Sequence, residues 1–308
     1  MNTREILLMP NLVIRYSVLF DDRSGDLVDR KRMAEFVFSV VSLKRFVLPF
    51  CDAQLFIYCS AENRDRLAEI CELLSLGNFH LVLLDDQEDM DFAESIIHCE
   101  PVDRICIRRM LLDFKSLPKD QFRLLLGTDV YFFRVPDEIL CHASTSNNKD
   151  VDVLYLSNPL VFRGALYKLT YWSGPLLPGL VGDFYQISPN VNLERATIIS
   201  ALKLVDSWPR LRRYSPDLPK SLRNRVNTCE QQATSMLLGQ WKGHALDSRR
   251  YMHYFPKPSM TVLHGKMPWR MPLKMPRELI DACSKAYCSL GYHDIIDEIE
   301  KSTQHEHR

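Results

Sequence analysis

The stretch Arg123–Val135, RLLLGTDVYFFRV, decides how this chain is read: an apolar run of strand length breaks at Gly127-Thr128-Asp129 and resumes with aromatic residues. It places a carboxylate at the edge of a buried strand. An ionised Asp in such surroundings is costly unless a hydrogen bond, a cation or a metal ion holds it. A Gly-x-Asp triplet is also an ordinary turn. The segment alone leaves both readings open, and the sequence on either side weighs them.

Upstream, short apolar runs alternate with amphipathic stretches, the pattern of α/β layering. Leu12–Phe20 reads as a strand ending in Asp21-Asp22. Lys31–Phe46 follows as a helix, with Met33, Phe36, Val37, Val40, Val41 and Leu43 at helical spacing. Gln54–Cys59 and His80–Leu84 are further strands, separated by a helix over Asn63–Leu76; the second of them ends in Asp85-Asp86. Asp103–Lys115 is a basic helix carrying Arg104, Arg108 and Arg109 just before the opening strand. Three strands thus end in aspartate, where an open parallel sheet has its ligand crevice. Aspartate also favours the start of any loop, so the pattern gains weight only in company.

Downstream the order loosens. Val151–Ser157 is a strand, and Trp172–Ser188, WSGPLLPGLVGDFYQIS, sets glycines 174, 179 and 182 before a strand that starts near Asp183, which suggests close backbone approach. Glu230–Leu238 reads as a helix and Thr261–Leu263 as a short strand. Two stretches, 208–225 and 266–277, are basic and rich in proline, and the residues from Ile299 on are polar and expected to fray.

With 308 residues, 46% hydrophobic and 25% charged, the chain can bury a large core. Its 39 basic and 39 acidic residues cancel, so no global field draws it to nucleic acid, and no nucleic-acid partner is expected. Nine cysteines without a C-x-x-C pair read as reduced apolar residues. The apolar run in MNTREILLMPN is too short for a signal peptide or anchor. A cytoplasmic location is the expectation, with the inner membrane face as a surface the basic stretches could touch peripherally. There is no G-x-G-x-x-G after the first strand, no P-loop and no G-x-S-x-G elbow, which speaks against dinucleotide enzymes, P-loop enzymes and α/β-hydrolases.

Three motifs then stand in order: the strand running into GTDVYFFRVPDEI, the helix start EQQATSMLL and the C-terminal VLHGKMPWR. Together they resemble the glycosyltransferases of GT-A fold, most closely the family 8-like group. In that group a central strand ends in Asp-x-Asp and runs on into a segment like Arg134-Val135-Pro136-Asp137-Glu138. An acidic-Gln helix start looks like Glu230-Gln231-Gln232, and a His…Gly…Lys-Pro-Trp segment looks like His264-Gly265-Lys266-Met267-Pro268-Trp269, with altered spacing.

The resemblance implies a GT-A type nucleotide-diphospho-sugar transferase fold, α/β, with a mixed, mostly parallel sheet flanked by helices. A catalytic domain is expected over residues 1–270, and a helical extension with a polar tail over 271–308. The implied reaction moves a sugar, with retention, from a nucleotide-sugar donor, expected to be a UDP-sugar, to an acceptor of unknown kind: saccharide, lipid-linked or small molecule. Breaking the sugar–phosphate bond loads negative charge on the diphosphate, so a divalent cation or basic side chains must face it. Asp129 and His264 are the expected ligands of Mn²⁺ or Mg²⁺. Asp21, Arg108, Thr128, Asp129 and Lys266 are expected to bind the donor, with Arg109 the alternative to Arg108. Asp183, Glu230 and Gln231 are the expected catalytic group. Trp172, Trp208, Tyr171 and Tyr185 could stack on sugar rings.

One departure matters. Gly127 stands where the motif has its first acid, which weakens metal binding and removes a contact to the ribose. Restoring Asp at 127 separates the readings: tighter metal binding with greater activity marks a reduced but live site, and no gain marks a dead or metal-free one. The competing readings are a protein that binds sugar nucleotides without catalysis and, on a related sheet, a nucleotidyltransferase, for which Asp21-Asp22-Arg23-Ser24-Gly25 is a poor glycine-rich loop.

Overall fold

The structure, a computed structural model, describes residues 9–18, 25–96, 101–144, 150–157, 174–207, 229–253, 259–265 and 277–304. Asp21, Lys266, Tyr171, Trp172 and the stretches 208–225 and 266–276 lie outside the described residues.

The strands are β1 (Asn11–Ser17), β2 (Asp52–Cys59), β3 (Phe79–Leu83), β4 (Phe122–Gly127), β5 (Val130–Phe132), β6 (Val153–Ser157), β7 (Leu180–Ile187), β8 (Gly243–Ala245), β9 (Tyr251–His253) and β10 (Val262–His264). The helices are α1 (Gly25–Phe46), α2 (Arg64–Leu73), α3 (Gln87–Ser95), α4 (Pro101–Ser116), α5 (Asp137–Ser144), α6 (Arg195–Asp206), α7 (Cys229–Leu238), α8 (Arg277–Ser289) and α9 (His293–Gln304).

Seven strands form the main sheet in the order β3-β2-β1-β4-β7-β6-β8, and β5, β10 and β9 form a small second sheet. β3, β2, β1 and β4 run parallel, while β7 is antiparallel to both of its neighbours. The sheet is mixed but mostly parallel, as expected. Its central strands read as near-continuous apolar runs because both faces are covered. In β1, Leu12, Ile14 and Tyr16 enter the core shared with α1, α2, α5, α8 and α9, whereas Val13 enters the core shared with α3, α4, α6 and α7. The alternation follows from the two-residue repeat of a strand.

Arg15 breaks the apolar run of β1 and is wholly buried. Its guanidinium forms a two-pronged pair with Asp113 of α4, both contacts at 2.9 Å, and donates to the carbonyl of Leu126 at 2.9 Å. Fork geometry suits a buried carboxylate. This pair ties α4 to the sheet beneath the end of β4.

Three boundaries differ from the sequence reading. α1 begins at Gly25, ahead of Lys31, and β7 begins at Leu180, ahead of Asp183. The polar C-terminal stretch continues as helix to Gln304 because Ile295 and Ile299, one turn apart, bury against the core. α8 and α9 dock on α1: Tyr287 donates to the carbonyl of Ala34 at 2.7 Å, and Arg45 pairs with Glu278 at 2.8 Å. No helix among the described residues is long and apolar enough to cross a membrane.

Candidate active site

The chain leaves the main sheet where β4 ends. Gly127 is paired with Ser17 of β1, Thr128 and Asp129 turn, and β5 departs into the small sheet. α1 fixes that departure: Ser39 donates to the carbonyl of Val130, and Ser42 accepts from the amide of Phe132 at 3.0 Å. β10 runs antiparallel to β5 with His264 opposite Val130. The amide of Gly265 donates to the carbonyl of Asp129 at 3.0 Å, and Gly265 has φ of +122°, which only glycine adopts freely. Residues far apart in sequence therefore meet, with His264 Nε2 3.3 Å from Asp129 Oδ1.

Burial by itself pulls the pKa of His264 down. Asp129, then Asp183 and Glu35, outweigh it and leave the imidazole raised above its ordinary value. The pair sets a hard carboxylate oxygen beside an imidazole nitrogen, donor types that Mn²⁺ or Mg²⁺ accept. Among the described residues no group of three or more His, Cys, Asp or Glu side chains is arranged to hold a metal ion. The described residues offer two donors, Asp129 and His264, which fit a cation whose shell is completed by phosphate oxygens and water.

Beneath this pair α4 presents Arg109 and Asp113, one turn apart on its buried face. Arg109 Nη1 lies 2.5 Å from Asp183 Oδ1, and its Nη2 lies 3.1 Å from Glu230 Oε1. β7 reaches Arg109 through an irregularity: pairing with β6 slips between Tyr155 and Ser157, and the alternation of β7 shifts with it, Leu180 and Tyr185 entering one core and Val181 and Phe184 the other. Such bulges redirect side chains beside functional sites. Here the redirected side chain is Asp183. Burial raises its pKa, but Arg109 and then His264 prevail and hold it down at about 2. Glu230 is raised, because burial exceeds the opposing pull of Arg109.

These elements border a cleft of about 200 Å³. Ser17 of β1, Arg32 and Glu35 of α1, and Ile105, Cys106 and Arg109 of α4 form its walls. The turn Gly127–Asp129 and Asp183 close it. Glu35 is buried, and its pKa is pushed up to about 7 by burial first and by the Asp129 carboxylate second.

Of the residues singled out from sequence, Asp129 and His264 come together, and Thr128 and Asp183 line the cleft. Glu230 is buried behind Arg109, and the Gln231 side chain lies over Gly182, where an added Cβ would come within 2.8 Å of Gln231 Cγ. The close approach expected at Gly182 is thus present. Arg109 lines the cleft, whereas Arg108 is half-buried and does not. Tyr185 is core. Asp86 caps α3 through the amide of Asp89 and pairs with Lys115, a structural use of a strand-end aspartate. Asp137 and Glu138 open α5 and hold Arg250.

The space around position 127 bears on what an Asp there would do. A Cβ there would lie 2.9 Å from Asp183 Cβ and 3.0 Å from Asp129 Oδ1. Sequence reasoning also passed over Glu35 and Arg32. Glu35 is the sole charge between Met33 and Leu43, and an acid inside such an apolar helical stretch is the signal that marks it.

No family model matches the sequence, and no curated protein does. Solved structures do resemble it. Mouse xyloside xylosyltransferase 1 in its apo form superposes with a TM-score of 0.53 at 11% identity, over 83% of this chain and 98% of that one. The bifunctional glycosyltransferase WbbM gives 0.58 at 11% identity over 96% of this chain, which spans 52% of WbbM. The galactosyltransferase LgtC, in complex with donor and acceptor sugar analogues, gives 0.52 at 13% identity over 89% of this chain and 95% of that one. At these identities the likeness is one of fold: the chain has the GT-A fold of glycosyltransferases.

Proposed function

We propose that this protein is a glycosyltransferase of the family 8-like group that moves a sugar from a nucleotide-sugar donor, expected to be a UDP-sugar, to an acceptor hydroxyl. The carrying observation is the 3.3 Å pairing of Asp129 with His264 at the carboxyl end of β4, beside the cleft. The cleft is smaller than the roughly 300–1,000 Å³ of whole-ligand pockets. At about 200 Å³ it suits the diphosphate part of a donor.

Charge favours a metal-dependent reading. Glu35, Asp129 and Asp183 line the cleft and Glu230 backs it, while Arg32 and Arg109 are the guanidinium groups among the described lining residues. A diphosphate placed against the Asp129 carboxylate gains from a cation held between the two. Asp129 and His264 would hold Mn²⁺ or Mg²⁺, which supplies charge stabilisation to the departing diphosphate. Thr128 and Arg109 border the position of the phosphates, with Asp21 and Lys266 as further donor contacts. The salt bridges of Arg109 hold Asp183 and Glu230 in place, so the acids near the sugar are oriented before the donor binds. Glu230 and Gln231 belong to the sugar side of the site.

A second reading, binding without catalysis, is favoured by one observation: two protein donors for a cation where the full motif offers a further acid at position 127. Thermal unfolding with nucleoside diphosphates and sugar nucleotides, each with and without Mn²⁺, tests both, since a ligand of the folded state raises the midpoint. A metal-dependent shift followed by release of nucleoside diphosphate on adding acceptors supports the transferase. A shift with no release, even to water, supports the binding protein. If no nucleotide shifts the midpoint, both readings fall.

A further inference from the structure

Gly127 follows Leu126, which is paired with Phe184 across the antiparallel β4–β7 ladder, so it faces Asp183. The contact is tighter than two side chains allow. A Cβ built on Gly127 meets Asp183 Cβ at 2.9 Å and Asp183 Cγ at 3.3 Å. The bulge in β7 is what brings the Asp183 side chain into this space. Positions 127 and 183 therefore have room for one carboxylate between them, and in this chain it is carried by 183.

We propose that Asp183 supplies, from the neighbouring strand, the donor-binding acid that the motif lacks at Gly127, accepting hydrogen bonds from hydroxyls of the nucleotide sugar. The carboxylate lines the cleft with about a third of its side chain exposed, although its neighbours Arg109 and Glu230 are buried. Arg109 holds Oδ1, and no hydrogen bond to Oδ2 is formed among the described residues. A fixed, ionised acceptor with one oxygen unspent is what a ribose or hexose hydroxyl requires. Its position beside Asp129 places it at the same end of β4 as the cation-binding pair. On this view Gly127 is the partner of a relocated acid, and the reading rests on the transferase or sugar-nucleotide-binding function proposed above.

The test is a reciprocal swap. Gly127→Asp, Asp183→Gly and the double variant are compared with the wild type in the full chain. One readout needs no ligand: the urea midpoint. Gly127→Asp lowers it by crowding, and adding Asp183→Gly raises it again. The second readout is affinity, by calorimetry with Mn²⁺ and whichever of UDP-glucose, UDP-galactose, UDP-xylose and UDP-N-acetylglucosamine shifts the wild-type midpoint most. Asp183→Gly weakens binding at least tenfold, and the double variant recovers to within threefold of the wild type.

Asp183→Asn separates binding from support, since it keeps the shape and loses the charge. Weaker sugar-nucleotide binding with the fold intact agrees with the proposal. Unchanged affinity with lowered stability means that Asp183 only braces Arg109, and overturns it. A double variant that folds and binds no better than Asp183→Gly overturns it as well. Those failures leave the transferase reading standing, because the wild type still binds; a wild type that binds none of the four sugars removes both.

Discussion

Replacing Glu35 by Gln should change how stability depends on pH, with a sign and size set by the site. The carboxyl of Glu35 is buried on α1, 3.6 Å from Lys31 Nζ, and burial together with Asp129 lifts its pKa from 4.5 to about 7. A raised carboxyl pKa means that the folded state binds the proton more tightly than the unfolded chain. Its contribution is fully present below the unfolded pKa and is lost as pH rises through the folded value. The difference of about 2.5 units, at about 1.36 kcal/mol each, amounts to about 3 kcal/mol. Most of it falls between pH 5 and 8, where about 2 to 3 kcal/mol should disappear from the wild type relative to Glu35→Gln. Urea unfolding of both proteins across that range reads the difference, which includes the smaller change at His264, whose pKa Glu35 helps to raise. The variant should gain on the wild type steadily up to about pH 7 and then run parallel to it. A difference that stays flat within about 0.5 kcal/mol would refute the reasoning, showing that Glu35 ionises as freely in the folded protein as in the unfolded chain.

Other outcomes follow from the same geometry. Asp129→Asn and His264→Asn should each abolish the Mn²⁺-dependent part of a nucleotide-induced thermal shift while leaving the apo fold intact; a shift that survives both would place the cation elsewhere. Arg109→Leu strands the buried Glu230 and should cost about 3–5 kcal/mol in urea unfolding, with part recovered by adding Glu230→Gln. If the double variant were no more stable than the single, the carboxylate would not be what Arg109 compensates. Arg15→Met should cost a similar about 3–5 kcal/mol, whereas Arg15→Met with Asp113→Leu should be close to neutral, since both charges leave the interior together. Cys106, a reduced cysteine at the cleft wall, should be alkylated more slowly when Mn²⁺ and a bound nucleotide are present. The exposed Cys141 and Cys288 serve as references that the ligand leaves unchanged.

The legible part of this protein was the part written as periodicity. β1 and β4 are apolar because central parallel strands are covered on both faces, and α2 and α4 repeat at helical spacing because one face of each is buried. The C-terminal helix α9 runs further than its polar sequence suggests, because two isoleucines, 295 and 299, anchor it. Asp86 misled in the other direction. Its place at a strand end suggested the crevice, but helix capping and the pair with Lys115 account for it.

The site divides along a similar line. Asp129 and His264 could be singled out because each stands in a local motif, and the β5–β10 pairing then joins them. Glu35 and Arg109 carry no motif, and their roles depend on which helix face meets the sheet end. Gly127 is the sharpest case, because its apparent defect was read along the chain while the space that governs it lies across the sheet. A motif is a one-dimensional record of a site whose residues meet through strand pairing. A missing carboxylate at 127 becomes interpretable only with the opposite residue in view, and that residue is an acid, 2.9 Å from where a Cβ at 127 would stand. Register alone would not have revealed it from sequence, because the bulge in β7 shifts the faces of that strand between Val181 and Phe184.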